Sequence, residues 1–244
     1  MKYLSKAANI LKRGGPVALL KKTIPFVHNT YIAPQLPRVG CTYNGVEVNA
    51  ARRFDSVLPW RDPDDPHYES GLISGLEKYV NERNKVVIVG GGWGVTAVKA
   101  AQNVGDSGKV VVYEGSKNYA NYIQETVEKN NIAEKVDIIH GIVGPKIHLY
   151  DESRGAPRVS PEEIPECDVL VLDCEGAEIE ILKNIMIRPM VILVESHGIY
   201  DAPSSKVKRL LNSLSYSVRS KEIARRTSDF CYENDIYSLV AVRE

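Results

Sequence analysis

The chain has 244 residues, 43% apolar and 25% charged, the composition of a globular chain long enough to bury one sizeable core. No run approaches the roughly 20 apolar residues that a membrane-spanning helix requires. Cys41, Cys167, Cys174 and Cys231 lack Cys-x-x-Cys spacing, which argues against a zinc site or a disulfide scaffold and for a reducing, cytoplasmic setting. Charge balances at 31 basic against 31 acidic residues, yet residues 1–46 carry seven Lys or Arg and no acid; the other 24 basic and 31 acidic residues leave residues 47–244 at −7.

Residues 1–40 therefore read as a basic arm. Leu4, Ala8 and Leu11 recur at helical spacing, which predicts a short helix over 2–13. Gly14-Gly15 stops it, and Pro16 suits the start of a second helix over 16–22. Neither piece is long enough to be stable alone in water. Three uses are open to such an arm: weak contact with an anionic membrane surface, contact with an acidic partner, or solvated packing on the body.

Residues 41–85 lead into the core. Asn44-Gly45 predicts the turn of a hairpin over 42–48. Pro59–Pro66 holds three prolines and reads as a loop. Leu72, Leu76, Tyr79 and Val80 make the apolar stripe of a helix over 68–80.

Residues 86–244 alternate strands and helices. Strands are expected at Val86–Val89, Lys109–Tyr113, Val136–Ile139, Val169–Leu172 and Val191–Val194, with helices after the glycine loop and over 117–130, 177–187 and 204–214. Tyr216–Ser220 and Ile236–Val242 complete the set, with no helix predicted between them. The pattern predicts an α/β fold: a doubly wound, mostly parallel sheet with helices on both faces and an antiparallel strand pair at the C-terminal end.

In such sheets ligands bind beyond the carboxyl ends of the strands. That places Gly90, Gly91, Gly92, Trp93 and Gly94 after the first core strand, Glu114, Gly115 and Ser116 after the second, and Gly141 after the third. Asp173 and Glu175 follow the fourth, and Glu195 and His197 the fifth. Glycines let a ligand approach the backbone, and an acid 20 residues beyond Gly94 can accept from ribose hydroxyls, so the set predicts an adenosine-type cofactor. Gly92-x-Gly94-x-x-Ala97 also fits a dinucleotide fingerprint, which keeps a nicotinamide- or flavin-binding oxidoreductase open. The short sequence after the fifth strand and the acids after the fourth favour S-adenosylmethionine. Asp173, Glu175, Glu195 and His197 are the candidate catalytic residues, with His197 the leading general base because imidazole titrates nearest neutrality. Together they could gather a hard metal, but nothing in their spacing demands one, and none is assigned.

Val86–Gly94, Tyr113–Ser116, Leu172–Leu182 and Ile192–His197 together resemble the FkbM-type family of S-adenosylmethionine-dependent methyltransferases, most specifically through Asp173-x-Glu175-Gly176-x-Glu178. The resemblance covers residues 68–200. It implies the class I, Rossmann-like fold with seven strands and O-methylation of a sugar or related natural product. By motif position it implies that Gly90, Gly92 and Gly94 line the cofactor, that Glu114 takes its ribose, and that Asp173 and Glu175 face the reacting end. Two positions depart from the family: Ile88 stands where an acid is usual, and Val171 where a Lys is usual. A cofactor-binding module without catalysis is thus a third reading. A small-molecule, glycan or lipid-linked glycan acceptor is expected, with pocket walls from the arm and the stretches 59–66, 150–165 and 221–235. Nucleic-acid binding fits poorly, because the body is acidic and carries no recognition motif. The sequence does not fix the oligomeric state.

Overall fold

The computed structural model describes residues 2–144, 155–225 and 228–244. The side chains of residues 2–10 and of Arg13 lie outside that description, as do residues 150–154 and 226–227 of the expected acceptor-lining stretches. The chain divides into two units, Met1–Cys41 with Asn49–Asp64, and Thr42–Val48 with Asp65–Glu244.

In the first unit, α1 spans Lys2–Val27 and is broken where expected, at Gly15 (φ 70°, ψ −175°). The segment after the break outruns the predicted 16–22. The Thr23 hydroxyl donates to the Leu19 carbonyl at 2.8 Å, and the chain carries on past Pro25 into a π-helical turn at His28–Ile32. Buried Asp55 accepts from the Arg52 backbone N–H at 2.9 Å and from the Arg61 guanidinium at 2.6 Å. Burial opposes its charge, but these donors hold its pKa below the usual carboxylate value. Strands β1 (Arg38–Tyr43) and β2 (Val46–Arg52) form the predicted hairpin, longer than 42–48, and turn at Asn44 (φ 47°) and Gly45 (φ 78°). Both central residues need positive φ in such a turn, which is why Asn-Gly marks it.

The second unit holds, in chain order, α2 (Ser70–Tyr79), β3 (Lys85–Val89), α3 (Val95–Val104), β4 (Lys109–Glu114), α4 (Lys117–Lys129), β5 (Val136–His140), β6 (Ile142–Val143), β7 (Arg158–Val159), β8 (Val169–Leu172), α5 (Glu178–Asn184), β9 (Val191–His197), α6 (Ser204–Ser213), β10 (Tyr216–Ile223), α7 (Asp229–Glu233) and β11 (Ile236–Arg243). Seven strands form one sheet in the order β10-β11-β9-β8-β3-β4-β5. The inner pairs are parallel, and β11 runs antiparallel to both β9 and β10. This is the doubly wound sheet with an antiparallel end that the sequence predicts.

Side chains alternate along each strand, so the sheet buries two faces. Val87, Val89, Leu170, Leu172, Ile192 and Val194 join one core with Ile181 and Leu182 of α5 and Val207 and Leu211 of α6. The opposite face carries the packed series α2, α3 and α4.

Four expectations are corrected. Helix α5 stops at Asn184, whose side-chain amide donates to the Glu180 carbonyl at 2.8 Å and closes the last turn. Strand β9 runs to His197 because β11 continues to pair with it, Ser238 opposite Glu195 and Ile236 opposite His197. Helix α7 occupies the connection where none was predicted, with the Ser228 hydroxyl accepting from the Cys231 N–H at 3.3 Å. The small parallel pair β6 and β7 was also not predicted.

Candidate functional site

Strand order reverses between β3 and β8: from β3 the chain builds outward through β4 and β5, then returns to the other side of β3 with β8 and β9. The loops that leave β3 and β8 diverge there and open a crevice. A cavity of about 290 Å³ fills it, at the lower end of the range for small-molecule sites. Its wall includes Gly90, Gly92, Trp93, Glu114, Gly115, Ser116, Gly141, Asp173 and Glu175 from the predicted set.

The glycine loop is pinned on both sides. The Gly90 N–H donates to the Tyr113 carbonyl at 2.9 Å, and the Asp173 N–H donates to the Val89 carbonyl at 2.9 Å. Gly90 has φ 88°, and a side chain built on it would run into the Asp173 carbonyl, so only glycine fits where β3 and β8 end together. Gly91 and Gly94 face away from the cavity; side chains there would strike Ile123, and at Gly94 also Thr126, on α4.

Buried Glu114 closes the loop from the β4 side. Its Oε2 accepts the N–H groups of Gly91 at 3.0 Å and Gly92 at 3.3 Å, and its Oε1 accepts the Ser116 N–H at 2.8 Å. A carboxylate offers about four acceptor positions, so three bonds leave about one for a ligand. Glu114 thus braces the loop itself. At position 88, where the resembling family carries an acid, Ile88 is fully buried in the sheet. Trp93 stacks on Tyr122 with centroids 4.9 Å apart and meets Tyr119 edge-on at 5.6 Å; Trp93 and Tyr119 form an aromatic part of the cavity wall.

The acids after β8 and β9 converge. Glu178, at the start of α5 and fully buried, accepts the Cys174 N–H at 3.3 Å and the Gly176 N–H at 2.8 Å, and its Oε1 lies 2.8 Å from His197 Nδ1. His197 Nε2 lies 3.6 Å from Asp173 Oδ1 and 3.7 Å from Glu195 Oε1. Asp173 therefore faces the cavity, while Glu195 and His197 stand behind it. Glu175 takes a left-handed backbone (φ 50°) at the turn into Gly176. Burial raises the pKa of Asp173 to about 6, helped by the charges of Glu178, Glu175 and Glu114 and opposed by His197. Burial also raises Glu195 well above its usual value, with the Asp173 and Glu69 charges adding to it. On His197, burial opposes protonation, but the Glu178 hydrogen bond and the surrounding carboxylates outweigh it and raise the pKa.

Sequence reasoning missed three contributors. Tyr68 and Glu69 line the cavity from the segment before α2. Glu69, with a left-handed backbone (φ 48°), accepts from the Thr96 hydroxyl at the start of α3. Burial and then the Asp173 charge push its pKa up to about 8. Tyr68 stacks on Tyr43 with centroids 4.8 Å apart, and the Asn44 side-chain amide donates to the Tyr68 carbonyl at 3.1 Å. The only sequence signal for the pair was an acid just ahead of an apolar helical stripe. The third contributor, Glu178, stands in the Asp173-x-Glu175-Gly176-x-Glu178 motif with no role assigned to it, whereas it meets the ring of a histidine 19 positions away.

Among solved structures, the chain is similar to a ribosomal protein L11 methylase from Lactobacillus delbrueckii subsp. bulgaricus, with TM-score 0.52 and 13% identity over 74% of this chain and 80% of that one. It is also similar to a SAM-dependent O-methyltransferase from Thermotoga maritima, with TM-score 0.49 and 19% identity over 73% of this chain. The match spans 65% of the Thermotoga protein's length. No protein-family model matches the chain, and no curated protein matches it. The sheet order and the L11 methylase likeness define the class I, Rossmann-like methyltransferase fold. Among the described residues, no helix is long and apolar enough to cross a membrane.

Proposed function

We propose that the chain is an S-adenosylmethionine-dependent methyltransferase that O-methylates a sugar, glycan or lipid-linked glycan. The observation that carries the cofactor assignment is the glycine loop tied to Glu114 at the switch-point cavity. The donor set fits: Glu114 retains acceptor capacity for a ribose hydroxyl, and Asp173 and Glu175 supply negative charge for a cationic ligand. The acceptor class rests on the resemblance to FkbM-type enzymes carried by Asp173-x-Glu175-Gly176-x-Glu178.

S-adenosylmethionine, when bound, supplies an electrophilic methyl group on a sulfonium. The chain's residues hold the partners. Trp93 and Tyr119 offer apolar faces in the wall, and Asp173, fronting the cavity, is placed to take a hydrogen bond from an acceptor hydroxyl. Holding an oxygen in line with the methyl group can supply much of the barrier reduction. Glu195 and His197 lie behind Asp173, and His197 Nε2 stands 3.6 Å from its Oδ1. Incubating the chain with S-adenosylmethionine and a panel of sugar and lipid-linked glycan acceptors tests the proposal. S-adenosylhomocysteine release that depends on a glycan acceptor supports it, and release only with non-glycan acceptors refutes the acceptor class.

A further inference from the structure

We infer that Asp173, Glu195 and His197 form a binding site for a divalent transition cation of the manganese or zinc type. One ligand atom from each lies within 4.8 Å of the others. Around a cation bound at about 2.0–2.2 Å, tetrahedral ligand atoms stand about 3.4 Å apart, and His197 Nε2 is 3.6 Å from Asp173 Oδ1 and 3.7 Å from Glu195 Oε1. A small inward movement of the carboxylates completes the geometry.

The imidazole is prepared for a metal. His197 is 6% exposed, and its Nδ1 lies 2.8 Å from Glu178 Oε1. Glu178 is fully buried and is itself held by the Cys174 and Gly176 N–H groups. A carboxylate on one ring nitrogen fixes the proton there and turns the lone pair of the other outward, the arrangement found around metal-bound histidines. His197 Nε2 makes no hydrogen bond among the described residues: both carboxylates it faces lie beyond hydrogen-bond distance. The Nε2 of a side chain only 8% exposed thus faces two carboxylates at once.

Charge points the same way. Glu175 and Glu178 add two more acids around Asp173, Glu195 and His197, and no Lys or Arg pairs with any of these acids among the described ion pairs. Two oxygen ligands and one imidazole suit manganese or zinc, whereas magnesium favours oxygen ligands alone. Three protein ligands leave open positions for a further oxygen ligand. Any use of those positions by an acceptor oxygen rests on the methyl-transfer reading; cation binding does not, and it is read on the full chain without cofactor or acceptor.

The test is titration of the chelator-stripped chain with Mn²⁺ and with Zn²⁺, followed by calorimetry. One cation per chain is expected, with affinity reduced at least 10-fold in Glu195→Gln and in His197→Gln, and retained in Glu175→Gln. A measurement on the unmutated chain covers the case in which these variants do not fold: ¹⁵N NMR should show Zn²⁺ shifting His197 Nε2 while Nδ1 stays protonated. Absence of stoichiometric binding, binding that survives Glu195→Gln unchanged, or a His197 Nε2 that carries a proton in the presence of Zn²⁺ overturns the inference.

Discussion

Glu114 Oε2 accepts the backbone N–H of Gly91 at 3.0 Å, so the acid at the end of β4 holds the loop that leaves β3. The bond links residues 23 positions apart and is buried. Together with the Gly92 and Ser116 N–H groups it makes Glu114 both a structural brace and the remaining acceptor at the cavity wall.

Glu114→Ala should therefore lower two quantities at once. Hydrogen bonds to charged groups are worth roughly 1.5–3 kcal/mol, so S-adenosylhomocysteine affinity should fall about 10-fold or more and the melting temperature should drop with it. Calorimetry with unchanged affinity would remove Glu114 from the cofactor site.

Gly90→Ala should destabilise the body. Its left-handed backbone and the Asp173 carbonyl both oppose a methyl group there, and the combination should cost about 2 kcal/mol or more. The urea midpoint measures it; a midpoint equal to the parent's would show that the two strand ends are not packed as described.

Asp173 and Glu178 should separate in a paired experiment. Asp173 fronts the cavity, so Asp173→Asn should keep the melting temperature within a few degrees while cutting methyl transfer about 100-fold. Glu178 is buried and serves two backbone N–H groups and His197, so Glu178→Ala should cost about 3–5 kcal/mol of stability. Reversed outcomes would make Asp173 the structural residue.

The arm carries its own expectation. On α1, Val17, Leu20 and Ile24 are exposed, as are Lys21 and Lys22. Each basic residue near an anionic surface is worth about 1 kcal/mol, so the full chain should bind phosphatidylserine vesicles weakly at low salt and release them at high salt. Lys21→Glu with Lys22→Glu should abolish the binding in sedimentation assays. Binding that ignores both salt and these substitutions would rule out an electrostatic arm.

The body was legible because its information is local. Val86–Val89 and Val169–Leu172 are β-branched and leucine runs buried on both faces, and a strand of that kind announces itself. The position of Glu114 followed from the strand that carries it. Glu69 did not, because its placement depends on Thr96, 27 residues away. The last three residues of β9, Glu195, Ser196 and His197, are polar, and only their pairing with β11 makes them strand. Helix α7 has five residues, too few to show a periodic stripe.

The cavity between the β3 and β8 loops is expected to bind an S-adenosyl cofactor rather than a dinucleotide. Isothermal titration of the full chain with S-adenosylhomocysteine, and separately with NADH and FAD, tests it most directly. One S-adenosylhomocysteine should bind per chain, with no heat of binding from either dinucleotide. Saturable binding of NADH or FAD, with none of S-adenosylhomocysteine, would contradict it.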